Sequence, residues 1–86
     1  MAFFIVIITL LYIKYNMKRI RKEDYKNDGI FINLDVEYIP YEKLIYETEK
    51  YLSKHIKYYF YCKNGVKSKE VVMSTTIKGY DVTQVI

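Results

Sequence analysis

Cysteine, proline and histidine occur once each in this chain of 86 residues, and tryptophan not at all. A single cysteine excludes an internal disulfide framework. One cysteine with one histidine falls short of the usual ligand number of a zinc site. No metal and no cofactor is expected. Acidic residues are missing before Glu23, where Lys14, Lys18, Arg19, Arg21 and Lys22 stand with no acid among them. The formal charge of +4 therefore sits in an N-terminal collar, and Glu23 to Ile86 carries nine basic residues against ten acidic. A groove that tracks phosphates needs basic residues spread over its binding face, so nucleic acid is not an expected partner.

The length allows at most one small domain, with a stability margin on the order of a few kcal/mol. The lone thiol of Cys62 has three readings: a small buried hydrophobe, an exposed liability, or a chemical group. Deciding among them is the main question that the sequence poses.

The run from Ala2 to Ile13 is uncharged and interrupted only by Thr9. As a helix it covers about 18 Å, against about 30 Å of hydrocarbon core. Lys14 can snorkel, and Tyr12 and Tyr15 suit the interface, which extends the segment to Met17. A secretory signal would carry its charge before the apolar run and a small-residue cleavage site after it; neither is present. The expectation is a single-pass transmembrane anchor over 1–17, a basic and polar linker over 18–29, and a domain over 30–86. The collar would keep that domain on the cytoplasmic side of the cell membrane. The alternatives are a strand or helix buried in a soluble core, or an artefact of truncation.

Asn27-Asp28-Gly29 signals a turn. Ile30 to Val36 is a short apolar run rich in β-branched residues and reads as a strand. Pro40 permits a helix start, and Tyr41, Leu44, Ile45, Thr48 and Leu52 then recur at helical spacing, predicting a helix over about 41–53. Lys57 to Cys62 reads as an aromatic strand. A polar loop follows, then a helix from Ser68, read as its N-cap, to Lys78, stopped by Gly79. The β-rich run Val82 to Ile86 closes the chain. Strand, helix, strand, helix, strand implies an α/β fold with a small parallel sheet and flanking helices. Asn64-Gly65 also permits a β-hairpin, in which Val66 onwards would return against Tyr58 to Cys62. His55 reads as a solvated loop residue, and Tyr58, Tyr59 and Tyr61 as residues that pack or cap the sheet.

A cysteine that ends a strand, followed by a short glycine-containing loop and a helix, carries a chemical implication. Consecutive backbone N–H groups there can form an anion-binding nest against the helix N-terminus, and the same dipoles favour the thiolate. Tyr61, Cys62, Gly65, Ser68, Gly79 and Tyr80 stand in the pattern Tyr-Cys-x-x-Gly-x-Arg-Ser, helix, Gly-Tyr, and Ile39-Pro40 leads into the preceding helix. Over residues 39–86 the chain resembles a rhodanese-like sulfurtransferase domain.

The resemblance implies that Cys62 attacks a sulfane-sulfur donor and carries the sulfur as a persulfide. It also implies that the loop Lys63, Asn64, Gly65, Val66, Lys67 and Ser68 binds the anion. The donor would be thiosulfate or a protein persulfide, attracted by Lys63 and Lys67. Related phosphatases place an arginine six residues after the cysteine to clamp phosphate; Ser68 holds that position here, which disfavours phosphatase chemistry. The chain departs from the family in several places. Lys67 replaces an arginine whose planar fork it cannot reproduce, and Asp35-Val36-Glu37 is half of an Asp-x-Arg. Tyr38-Ile39-Pro40 shortens a longer family segment, and no Gly-Gly and closing helix follow the last strand. The expected fold is therefore a partial one, lacking a helical layer and a strand. A catalytically inactive remnant or binding module is the alternative function.

Overall fold

A computed structural model describes residues 17–36 and 40–86. The apolar run of the expected anchor lies outside the described residues, as does Glu37-Tyr38-Ile39. In chain order the elements are β1 (Lys18–Ile20), a 3-10 turn (Lys22–Asp24), β2 (Ile30–Asn33), α1 (Tyr41–Tyr46), α2 (Thr48–Tyr51), β3 (Lys57–Tyr61), α3 (Val66–Ile77) and β4 (Asp81–Val85). All four strands are parallel, in the order β1-β4-β3-β2. The described chain is a small α/β domain with flanking helices, as the alternation of periods predicts.

Side chains alternate across the sheet. Ile32, Tyr58, Phe60, Cys62 and Val82 face the helices and form one core with Leu44, Leu52, Val71 and Val72. Phe60 is wholly buried, which stabilises the fold by about 2–3 kcal/mol. On the opposite face Tyr25 packs its ring against Phe31 and Tyr59, with centroids 5.1 and 4.8 Å away. Lys22 lies over the ring of Tyr61.

Three details differ from the sequence reading. Residues 18–20, expected in a linker, form the edge strand β1 beside β4, with Lys18 opposite Thr83 and Arg19 opposite Gln84. The ladder continues as Ile86 N–H donates to Ile20 O and Lys22 N–H to Ile86 O. Charge does not prevent this pairing, because an edge strand is where lysine and arginine are tolerated; Lys18 pairs with Asp81. Met17, assigned to the apolar segment, packs against the core.

The helix expected over 41–53 is broken at Glu47, whose φ of −124° is not helical. Thr48 fits the buried stripe, but its hydroxyl donates to Leu44 O at 2.6 Å, a back-bond that bends helices. Lys78 Nζ reaches across from the end of α3 to the carbonyl of Ile45 and to Thr48 Oγ1.

The third difference is the start of α3 at Val66, two residues before the expected Ser68. No hairpin forms at Asn64-Gly65, since β3 and β4 are parallel with α3 between them. At its other end α3 stops as expected: Gly79 has φ +89°, and Tyr80 N–H returns to Thr75 O. That is the Schellman arrangement, which needs a left-handed residue.

Candidate functional site

Cys62 sits just past the C-terminal end of β3, one of the two inner strands, where the chain turns into α3. Gly65, with φ +77° and ψ −6°, makes the turn in the left-handed region. The turn brings the first turn of α3 back over the sulfur. Ser68 N–H donates to Cys62 Sγ at 3.2 Å, so the sulfur satisfies a helix N-terminal amide that would otherwise lack an intrahelical acceptor. Ser68 is thus not an N-cap; it lies inside the helix, buried, with Oγ 3.4 Å from Sγ. Asn64 Oδ1 lies 3.5 Å from Sγ and accepts the N–H of Val66 at 3.1 Å.

Two further loop amides have internal acceptors. Lys63 N–H donates to Asp35 Oδ2 at 2.6 Å, and Gly65 N–H to Cys62 O at 3.3 Å. Of these four amides only that of Ser68 points at sulfur, so they do not converge on one centre. Lys63, Asn64, Val66 and Lys67 are exposed, Gly65 is half-buried, and Cys62 itself is 3% exposed. The Lys67 ammonium lies 5.8 Å from the centre of the Tyr41 ring.

No protein-family model matches the chain, and neither does any curated protein or solved structure. The resemblance over 39–86 therefore rests on its own residues, and no family is identified.

Three site neighbours were not singled out as site residues in the sequence. Asp35 holds the Lys63 amide from the turn after β2. Gln84, 3% exposed, donates from Nε2 to Gly65 O and to Ser68 Oγ, each at 3.1 Å. Arg19 of β1 donates from Nε to Gln84 Oε1 at 3.1 Å. The legible signal was Gln84, a lone amide in the run Val82-Thr83-Gln84-Val85, on the same strand face as the core residue Val82. Its partner Arg19 lies 65 positions away and had no local signal.

Arg19, Gln84, Asn64, Gly65, Val66, Lys69, Glu70 and Met73 line an open cavity of about 550 Å³. Cys62 is not among its lining residues; Gln84 touches Ser68, and Ser68 touches the sulfur. Among the described residues no cluster of His, Cys, Asp or Glu is arranged to hold a metal ion, and no helix is long and apolar enough to cross a membrane.

Proposed function

We propose that this domain is a rhodanese-like sulfur carrier whose Cys62 takes sulfane sulfur from an anionic donor and holds it as a persulfide. The observation that supports this most is the Ser68 amide donating to Sγ at the start of a twelve-residue helix. An N–H at a helix N-terminus aimed at sulfur is a donor that a persulfide anion can use. In the transfer from thiosulfate, the Cys62 thiolate attacks the outer sulfur. The S–S bond of the donor breaks and sulfite leaves with the electron pair. The charge then rests on the new terminal sulfur. A protein persulfide would donate in the same way, with a thiolate leaving.

Intact mass spectrometry after thiosulfate treatment tests this reading, with Cys62→Ala as control. Gain of one sulfur atom, removed by cyanide and absent in the variant, supports the carrier. No gain, with Cys62 still open to alkylation, defeats it.

A second reading is a non-catalytic α/β module. It is favoured by the burial of Cys62 and by the loop amides that are already bound internally. The two readings separate in the same experiment.

The apolar run before Met17 supports attachment to the cell membrane as a single-pass anchor, with the domain on the cytoplasmic side. Resistance of the full chain to alkaline extraction from membranes tests that. Its release into the soluble fraction would refute the anchor.

A further inference from the structure

We propose that Arg19 and Gln84 form a positioning pair that turns the Ser68 hydroxyl into a proton donor toward Cys62; the inference rests on the reading of Cys62 as a reactive thiolate. A guanidinium only donates hydrogen bonds, and a glutamine amide has one end that donates and one that accepts. Arg19 Nε, 3.1 Å from Oε1, therefore fixes which way Gln84 faces. Its NH₂ end must point into the loop, where it meets Gly65 O and Ser68 Oγ.

Those two contacts decide where the Ser68 proton goes. The Ser68 hydroxyl can donate to Gly65 O at 3.3 Å, and it accepts from the Cys62 thiol at 3.4 Å, a contact that turns round once the sulfur is a thiolate and can only accept. Gly65 O already accepts from Gln84 Nε2 and from Lys69 N–H at 3.1 Å, which occupies both of its lone pairs. Ser68 Oγ also accepts from Gln84, so when Cys62 is a thiolate the hydroxyl hydrogen is drawn from the crowded Gly65 O to the sulfur. A thiolate at Cys62 then receives two donors from one residue, the Ser68 amide and the Ser68 hydroxyl. Without Gln84 the hydroxyl is free to turn to Gly65 O, and the thiolate keeps one.

The basic edge strand thus acts on the thiol across β4. Arg19 has its hydrogen bond to Gln84 and none to the sulfur or the loop, so its influence passes through the Gln84 side chain.

The test is the pH profile of Cys62 alkylation by iodoacetamide in the full chain, for wild type, Gln84→Met, Arg19→Ala and Arg19→Lys. Gln84→Met keeps length and apolar bulk but loses both donors. Its profile is expected to move to higher pH, with alkylation near neutrality slower by about 10–100-fold, the worth of one hydrogen bond to a charged group. Arg19→Ala, on an exposed edge that leaves the core untouched, is expected to move the profile the same way by less, and Arg19→Lys to restore it. A merely structural role would change melting temperature without moving the profile. Superimposed profiles for wild type and both loss variants overturn the proposal, and so does a wild-type Cys62 that no pH renders reactive. Sulfur loading by mass is scored separately. A shifted profile without loading upholds the pair and refutes the carrier, whereas loading with unshifted profiles does the reverse.

Discussion

The amide of Ser68 donates to the sulfur of Cys62 at 3.2 Å, so a side chain at the end of β3 closes the first turn of α3. The thiol is then part of the helix as much as of the strand. Removing it exposes an unmet donor rather than simply a small void.

Cys62→Ala and Cys62→Ser separate these two effects. Alanine leaves the buried Ser68 N–H without an acceptor, at a cost of about 1–3 kcal/mol. Serine keeps an acceptor there, and its own hydroxyl has Asn64 Oδ1 and Ser68 Oγ beside it. We expect Cys62→Ala to unfold at lower denaturant than Cys62→Ser, by about 1 kcal/mol at unchanged m-value. Equal midpoints would mean that the amide finds water or another acceptor.

Gly65 and Gly29 should fail for different reasons. A Cβ at Gly65 meets nothing nearer than Gln84 Nε2 at 3.9 Å, so the obstacle is the backbone at φ +77°. Gly65→Ala is expected to cost about 1–2 kcal/mol and Gly65→Asn less, because asparagine tolerates the left-handed region. A Cβ at Gly29 would stand 2.5 Å from the Lys57 carbonyl oxygen, a clash that changing alanine to asparagine cannot relieve. Urea titration of the four variants checks the contrast: asparagine should rescue position 65 and not position 29.

The order of elements from β2 to β4 was legible because the period of the apolar residues changes four times between Ile30 and Ile86. That signal is local. The stop of α3 at Gly79 and the turn at Asn27-Asp28-Gly29 were equally local, since each needs a backbone conformation that few residues accept; Asn27 indeed has φ +59°. Strand β1 was not legible. Lys18, Arg19 and Ile20 have no apolar alternation, and their extended form is stabilised by the otherwise free edge of β4, more than sixty positions away. The break at Glu47 was hidden for the opposite reason: Thr48 satisfies the helical stripe, and only the direction of its hydroxyl reveals the bend. At the site, the sequence located Cys62 and its loop but could not show where the loop amides point. Asp35, in the turn after β2, and Gln84, on β4, take part in deciding that.

Lys78 and Thr48 give a test of the break. The ammonium caps the end of α1 through Ile45 O and donates to Thr48 Oγ1 at 2.9 Å. Because Lys78 is exposed, its removal should cost only about 0.5–1 kcal/mol. Thr48 is fully buried, so Thr48→Val keeps the packing and loses its hydroxyl contacts to Leu44 O, Ile45 O and Lys78. In a double-mutant cycle with Lys78→Met we expect a coupling of about 0.5 kcal/mol, from additivity failing at one shared contact. Strict additivity in thermal melts would show that Lys78 acts on Ile45 O alone.

Tyr59 and Asp28 predict how stability falls at high pH. The phenol donates to Asp28 Oδ1 at 2.6 Å. This bond, followed by burial and then by the carboxylate's charge, pushes the phenol up to about 12. Ionising it would remove the donor and set two negative charges side by side. A phenol whose folded value lies above its unfolded value, about 10, adds stability that is complete below the unfolded value. That stability is lost as pH rises from about 10 toward about 12. The Asp28 carboxyl is held below its ordinary range, first by the same hydroxyl. Its contribution is therefore present above that range and lost as pH falls through it. Eleven tyrosines rule out following one phenol by absorbance in the wild type, so the comparison must be between melting curves. Tyr59→Phe should melt below wild type at neutral pH and converge with it as pH rises through this alkaline window. Parallel curves throughout would mean that the hydroxyl of Tyr59 does not hold Asp28 in solution.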